Sequence, residues 1–183
     1  MQGREGGMAI LPIRQLGDPI LREVSRPVAG FDEALARLAG DMIETMYDAP
    51  GVGLAAPQVG VSLRLIVFDD NGGEGARILA NPEISDLEDE EIREEGCLSV
   101  RGPFSELARA HRLKARGFGP DGQPIEFVAE GLLARILQHE CDHLDGRLFI
   151  DRLSSEARRE VMRELREQEL RGPGRRAGTA RGS

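Results

Sequence analysis

Apolar residues recur with a helical period in two long parts of the chain. Between Asp32 and Tyr47 one face of the predicted helix is apolar, formed by Leu35, Leu38, Met42, Ile43 and Met46. Between Gly131 and Leu144 a second stripe is formed by Leu132, Leu133, Ile136, Leu137 and Leu144. Asp32 is placed to cap the first helix, and Asp145–Gly146 follows the second as a stop. Both segments are predicted to be helices with one buried face.

Strand patterns occupy the middle of the chain. The predicted strands are Leu63–Asp69, Arg77–Ile84 with a bend at Pro82, Arg112–Phe118, Pro124–Ala129 and a short Arg147–Ile150. The acidic stretch Ser85–Glu95 is predicted to be a solvated loop or the flank of a hairpin. Near the start, Ala9–Ile13 reads as an edge strand or extended arm, followed by a short helix over Ile20–Val24. A last helix begins at Ser154 or Ser155 and runs to about Leu170.

The chain has 183 residues and a mass of 20.0 kDa, which suits one domain with its own core. With 4% aromatic residues and no Trp, that core must be largely aliphatic. We expect a disordered extension over residues 1–7, a single catalytic domain over 8–170 and a disordered Arg/Gly-rich tail over 171–183.

Net charge and hydropathy make some classes of function improbable for this chain. A net charge of −8 disfavours a specific DNA partner, and no run of 18 apolar residues predicts a membrane span. No secretory leader is recognisable at the start. Two cysteines without such a leader indicate free thiols in a reducing compartment, so we expect a cytoplasmic protein. The tail could touch RNA, but an unstructured end without a partner is the simpler interpretation.

The segment Gln138–Gly146 carries the strongest chemical signal. His139 and His143 are four residues apart, so a helix presents both imidazoles on one face to one metal ion. Glu140 lies beside the first histidine, where its carboxylate can reach a water on the metal rather than the metal itself. This His-Glu-x-x-His pattern is typical of metal hydrolases, although a short motif also occurs by chance on ordinary helices.

The other candidate ligands depend on that motif. Cys97 alone would be a core thiol or a redox-neutral bystander. With the histidine pair it becomes a candidate third ligand, since catalytic sites use three protein ligands and leave a position for water. Cys141 should point away from the metal and fill the core. His111 is a weak rival ligand that more readily ends a strand. Gln58, in the glycine-rich loop Gly51–Gly60, reads on its own segment as a surface residue.

Three stretches together resemble the motifs of peptide deformylases in order and spacing. They are Gly-Val-Gly-Leu-Ala-Ala-Pro-Gln at 51–58, Glu-Gly-Cys-Leu-Ser at 95–99 and Gln-His-Glu-Cys-Asp-His-Leu at 138–144. The resemblance extends over about Met8–Leu153. It implies an α+β fold, with antiparallel strands packed around a central metal-binding helix and a C-terminal helix.

The resemblance also implies an activity and a set of site residues. The expected reaction removes the formyl group from the N-terminal formyl-methionine of new polypeptides and releases formate, with Fe²⁺ as the metal and Zn²⁺ or Ni²⁺ as substitutes. Cys97, His139 and His143 would be the ligands and Glu140 the general acid/base. Gln58 and the Leu98 backbone N–H would stabilise the oxyanion. The residues expected at the substrate are Val52, Gly53, Gly96, Leu132, Arg135 and Ile136.

Two positions depart from the family pattern. Arg101 stands where many members have Pro, and Phe104 where many have Arg, although an aromatic residue there resembles a subset of the family. Both lie on the segment expected beside the substrate peptide, so they bear on peptide preference rather than on the reaction. We also expect Arg135 to keep its guanidinium at the pocket rim.

Two alternatives compete with this interpretation. A zinc endopeptidase of the metzincin kind would need a third histidine where Phe149 stands, and one with a glutamate ligand would draw on Glu160 or Glu164. A non-catalytic relative that binds nascent chains or the ribosome would be expected to lack a ligand or Glu140, and all of these are present.

Overall fold

The computed structural model describes residues 9–171 of the chain. Its helices and strands, in order, are α1 (Glu33–Asp48), β1 (Gly53–Ala55), β2 (Leu65–Phe68), β3 (Arg77–Cys97), β4 (Val100–Phe118), β5 (Pro124–Glu130), α2 (Gly131–Leu144) and α3 (Ser155–Arg171). Short 3₁₀ turns cover Pro19–Arg22, Ala56–Val59 and Phe149–Asp151. The ends predicted to be disordered lie outside the described residues, except that Arg171 closes α3. Within residues 9–171, no helix has the length and apolar character needed to cross a membrane.

The five strands form one antiparallel sheet in chain order, β1-β2-β3-β4-β5. Side chains alternate along β2: Leu65 and Val67 pack in the cluster that contains α1, whereas Ile66 and Phe68 pack in the cluster that contains α2. The sheet therefore lies between α1 and α2. The expected α+β class, with the strands packed around α2 and a helix at the C-terminal end, is confirmed.

A third apolar cluster attaches α3 to the hairpin made by β3 and β4. Val161 of α3 packs there with Val100 and Leu107 of β4 and with Phe149. Because Val100 directly follows the tip of the hairpin, this cluster fixes the end of the sheet that meets α2.

The helix predictions hold closely. α1 and α2 begin and end within a residue or two of their expected bounds, and the Asp32 carboxylate accepts a hydrogen bond from the Leu35 N–H at 2.9 Å. The expected bend at Pro82 also occurs, as a shift of register between Ala80 and Glu83 in the pairing of β3 with β4.

Several strand predictions are wrong. Of the two possibilities expected for the acidic stretch Ser85–Glu95, the loop is wrong and the flank of a hairpin is confirmed, since the stretch is part of β3. β4 begins at Val100 rather than Arg112, satisfies the backbone of this stretch and places basic side chains opposite its carboxylates. The expected strand Arg147–Ile150 is instead the 3₁₀ turn at Phe149, closed by a hydrogen bond from the Leu148 N–H to the Asp151 carboxylate. The short helix over Ile20–Val24 is likewise a single 3₁₀ turn, Pro19–Arg22.

Candidate metal centre

Three side chains from two distant parts of the sequence meet at the buried face of α2. Cys97 Sγ lies 3.3 Å from His143 Nε2, and His143 Nε2 lies 3.2 Å from His139 Nε2. Their ligand atoms all lie within 4.8 Å of one another, so the group can hold one metal ion. The position of Cys97 beside the histidines could not be predicted from their spacing, because it depends on how β3 packs across α2.

The tip of the β3–β4 hairpin fixes the thiol. Cys97 pairs with Val100 across a two-residue turn, and the Ser99 N–H donates to Cys97 Sγ at 3.4 Å. The Leu98 carbonyl accepts a hydrogen bond from the Gln15 side chain at 3.0 Å, which holds the turn from the other side. These contacts fix the place of the sulfur next to the two histidines.

Gln58 is buried, with 1% of its surface exposed, so the surface interpretation drawn from its own segment is wrong. Its Oε1 accepts a hydrogen bond from the Ala55 N–H at 2.9 Å, and this contact fixes the orientation of the amide. The Nε2 group then donates to Ser99 Oγ at 3.2 Å and to Cys97 Sγ at 3.7 Å. The amide therefore presents its N–H groups towards the metal cluster.

Glu140 is buried beside the histidines. Burial raises the pKa of its carboxyl to about 7. Its Oε2 has no hydrogen-bond partner among the described residues. The backbone of β1 passes so close that a Cβ atom on Gly53 would collide with Glu140 Oε1 and with Ile136. Glycine at position 53 is therefore required for β1 to approach this carboxylate.

The sequence did not reveal the carboxylate that lies behind the metal cluster. Glu95, assigned to a solvated stretch, is buried and its Oε1 lies 2.6 Å from His139 Nδ1. Burial raises the pKa of Glu95, but hydrogen bonds from His139 and Arg109 outweigh it and hold the pKa well below its usual value. An ionised Glu95 orients the His139 ring and leaves its Nε2 free to face the cluster.

Glu95 belongs to a buried charge network that also includes Arg109, Arg135 and Asp142. Arg109 donates to Glu95 at 2.7 Å and 3.1 Å and to Asp142 at 2.7 Å. Arg135 donates to Glu95 at 2.9 Å and to the backbone carbonyls of Glu91 and Leu107. The expectation that the Arg135 guanidinium lies at the pocket rim is therefore wrong, because these acceptors hold it inside.

One signal for this network was present in the sequence. Arg135, His139 and Asp142 occupy positions i, i+4 and i+7 of α2, a spacing that puts them on one side of a helix expected to be buried. Buried charged groups require partners. The sequence did not indicate that Glu95 and Arg109, from neighbouring strands, are those partners.

A cavity of about 390 Å³ opens onto the metal cluster. All of the residues expected at the substrate line it, namely Val52, Gly53, Gly96, Leu132, Arg135 and Ile136. Gln58, Cys97, Leu98, His139 and Glu140 line it as well, together with Arg101 and Phe104. The structure thus brings two of the predicted ligands, Cys97 and His139, the predicted acid/base and the predicted substrate residues to one cavity, while the third ligand, His143, is buried behind them against Cys97 and His139.

The rival ligands lie elsewhere. His111 pairs with Glu91 at 3.0 Å on the surface of the sheet. Glu160 and Glu164 are exposed on α3 and contact Arg163 and Gln168. Cys141 is buried, as expected for a core residue, and burial raises the pKa of its thiol to about 12. Among the described residues, no fourth side chain joins Cys97, His139 and His143 in a metal-binding group.

Comparison with known proteins agrees with this geometry. The sequence model of the polypeptide deformylase family matches residues 10–159. A peptide deformylase of Acidothermus cellulolyticus is 52% identical over 165 residues, covering 90% of this chain and 91% of its own. The crystal structure of a peptide deformylase from Legionella pneumophila superposes with a TM-score of 0.85 at 45% identity, over 91% of this chain and 100% of that one.

A second pair of relatives supports the same assignment. A peptide deformylase of Alkalilimnicola ehrlichii is 50% identical over 160 residues, 86% of this chain and 90% of its own. The crystal structure of the Thermus thermophilus peptide deformylase has a TM-score of 0.82 at 43% identity, over 88% of this chain and 96% of that one. Since both the sequence and the fold match over most of the chain, it belongs to the polypeptide deformylase family.

Proposed function

We propose that Cys97, His139 and His143 hold the catalytic metal of this deformylase and that Glu140 is its general acid/base. Membership of the family makes the chain a metal-dependent hydrolase that removes the N-formyl group from newly made polypeptides. The observation that carries the residue assignments is the convergence of three ligand atoms within 4.8 Å, in a cavity that also contains the buried Glu140.

The donor set fits a divalent metal. A thiolate and two imidazoles are a known ligand set for catalytic sites, and three protein ligands leave a position for water. The two Nε2 atoms face each other at 3.2 Å. A neutral imidazole whose Nδ1 is protonated has a lone pair on Nε2. Two such lone pairs at this distance would repel each other, so a proton or a cation must lie between the rings. Glu95 at His139 Nδ1 favours that tautomer.

The chain's own residues account for the proton transfers. When bound, the metal activates a water molecule as the nucleophile. Glu140 accepts the proton of that water and later passes it to the leaving amine. Its unpartnered Oε2 leaves one carboxylate oxygen free for this exchange.

Charge that develops on the formyl oxygen needs fixed donors. Gln58 supplies an amide whose orientation is set by its bond to Ala55, and the Leu98 N–H lies on the tight turn beside Cys97. Preorganised donors of this kind stabilise a tetrahedral intermediate, and removal of one typically costs roughly 3–4 kcal/mol of transition-state stabilisation.

For the metal we propose Fe²⁺, with Zn²⁺ or Ni²⁺ as functional substitutes. Imidazole ligands suit all three ions, and a thiolate next to Fe²⁺ makes the site sensitive to oxygen. Reconstitution of metal-free protein with each ion under nitrogen, followed by exposure to air, tests this. Loss of activity in air should be fastest for the Fe²⁺ protein, whereas equal lifetimes would contradict the iron assignment.

The function is tested by formate release from a formyl-Met peptide. The metal-loaded protein should release formate and leave the peptide bonds intact, and a non-formylated peptide serves as the control. Absence of formate from fully loaded protein would overturn the proposed function. Cleavage of the control peptide would instead support the endopeptidase alternative.

Substitution of Glu140 tests its assigned role. Glu140→Ala should retain the metal and lose about 10²–10⁴-fold in kcat, the usual contribution of general acid–base catalysis. Glu160→Ala, at an exposed glutamate of α3, is the matched control and should retain both. Retained turnover in Glu140→Ala would contradict the acid/base role, and metal loss in Glu160→Ala would revive the glutamate-ligand alternative.

We further propose that the chain acts in the cytoplasm, where polypeptides begin, and that the ribosome is a partner. The arginines at 175, 176 and 181 of the tail support contact with RNA by their charge. Sedimentation with ribosomes at low and high salt, with and without residues 172–183, tests this. Co-sedimentation that does not depend on the tail would remove the role proposed for it.

A further inference from the structure

The β3–β4 ladder is interrupted beside the metal centre. Glu95 pairs with Ser105, and the next pair is Cys97 with Val100, so the single residue Gly96 faces the four residues 101–104 of β4. These four residues therefore bulge out of the sheet. Arg101, Gly102 and Phe104 line the cavity that contains the metal ligands. Bulges often redirect side chains next to active sites, and here the redirected side chain is an aromatic one.

Phe104 is exposed although it lies in the cavity wall. Its side chain is 67% exposed, and its ring lies over Gly96, so that a Cβ atom on Gly96 would come within 2.6 Å of a ring carbon. Leu132, on the first turn of α2, is also partly exposed and lines the same cavity. The two side chains extend the apolar lining of the cavity to its mouth, where a molecule that enters the cavity would meet them.

The bulge is held from behind by α3. Gly102 has φ +109°, and a Cβ atom there would collide with the side-chain amide of Gln168. Val100 before the bulge and Leu107 after it are both buried in the cluster that contains Val161. Because α3 contacts the bulge and both of its flanks, Phe104 is presented in a fixed place rather than on a free loop.

We infer that Phe104 is a specificity-determining residue that contacts the side chains following the formyl-methionine and favours large apolar ones. The inference rests on the proposed function, since the formyl group must reach the metal cluster inside the cavity. The substrate is a polymer, so the rest of the peptide must leave through the mouth, and Phe104 and Leu132 are the large apolar side chains there among the described residues. Gln168 acts as a positioning residue for the bulge.

The test compares two substrates, formyl-Met-Leu-Leu amide and formyl-Met-Ser-Ser amide, with metal-loaded protein. Wild type should prefer the leucine peptide in kcat/KM by about tenfold, mostly through KM, as expected for an apolar contact of this size. Phe104→Ala should reduce this preference to less than about threefold, while Phe104→Leu should retain most of it. Phe118→Ala, at an exposed phenylalanine outside the cavity, should leave the preference unchanged.

A second variant tests whether the position of the bulge matters while Phe104 itself is kept. Gln168→Ala removes the amide that packs on Gly102, so it should weaken the leucine preference with no loss of metal. Glu167→Ala, on the same helix, should leave the leucine preference unchanged. A wild-type protein without preference, or a Phe104→Ala protein that keeps it, would overturn the inference while formate release still supports the proposed function. No formate from either peptide would overturn both.

Discussion

The two ends of the β3–β4 hairpin use the same kinds of charge pair in opposite environments. At the end far from the hairpin tip, Glu83 contacts Arg116 and Glu88 contacts Arg112, with all four side chains more than 40% exposed. At the end beside the metal cluster, Glu95 and Arg109 contact each other with at most 5% of each side chain exposed. The far end tolerates water around every charge, whereas the near end excludes it.

The two sets of charges have different roles because their exposure to water differs. Exposed pairs are screened by solvent and salt and contribute little to stability, so the far end mainly keeps a long acidic strand soluble and paired. A buried ion pair gives little net stability compared with a pair of apolar residues in the same place. Loss of one partner, however, leaves the other charge buried and unpaired, which is strongly destabilising. The near end thus fixes the position of the His139 ring and is intolerant of change.

Removal of the central carboxylate should have the largest effect. Glu95→Ala leaves Arg109 and Arg135 without their shared partner and should lower the free energy of unfolding by roughly 3–5 kcal/mol. Metal affinity or kcat/KM should fall about 10–100-fold, because His139 loses its orienting group. Urea unfolding and metal titration measure the two effects. An unchanged metal affinity would show that Glu95 does not position His139.

Asp142→Asn should have a smaller effect. Asp142 accepts hydrogen bonds from Arg109 and Arg152, and the amide keeps one acceptor oxygen, so we expect a loss of roughly 1–3 kcal/mol in unfolding free energy. Asp145→Asn, three residues along the chain and 47% exposed, is the matched control and should be near neutral. Equal losses in the two variants would remove the distinction between buried and exposed pairs on which the comparison depends.

The pH dependence of the unfolding free energy should distinguish the two ends of the hairpin, and Glu→Gln substitutions test this with little change in side-chain packing. The pKa of Glu95 is lowered in the folded state, so its ionised form stabilises the fold above its unfolded pKa of about 4.5 and this contribution is lost as the pH falls below that value. The unfolding free energies of wild type and Glu95→Gln should therefore begin to converge as the pH falls below about 4.5 and continue to converge towards the lowered pKa of the folded state. Glu83→Gln should differ little from wild type throughout, and a constant gap for Glu95→Gln would contradict the assignment.

The exposed end should show the smallest effect. Glu83→Gln and Arg116→Gln should each change Tm by less than about 1 °C, and this change should disappear in 0.5 M salt because screening already weakens such pairs. Thermal unfolding followed by circular dichroism at two salt concentrations measures it. A fall of several degrees in the Tm of either variant would show that the exposed ion pairs contribute substantially to stability.

The sequence predicted the local parts of this molecule well. The helices α1 and α2 followed from apolar spacing, and the histidine pair with Glu140 followed from helix geometry alone. Cys97 became a candidate through that pair, and Gln58 became a site residue only through the family resemblance. The strand bounds were predicted less well, because the acidic residues at 85–95 have low intrinsic strand preference and need the basic residues of β4 opposite them.

The chemistry that this protein carries could be predicted from its residues: two imidazoles one helical turn apart, a carboxylate between them and a thiol elsewhere in the chain. Tertiary structure decided which groups those residues meet. Glu95 and Arg109 lie 14 residues apart on neighbouring strands, and α2 joins them with Arg135 and Asp142. Spacing along a chain fixes contacts within one helix or strand, but burial and charge pairing between elements arise only when the sheet closes over the helix.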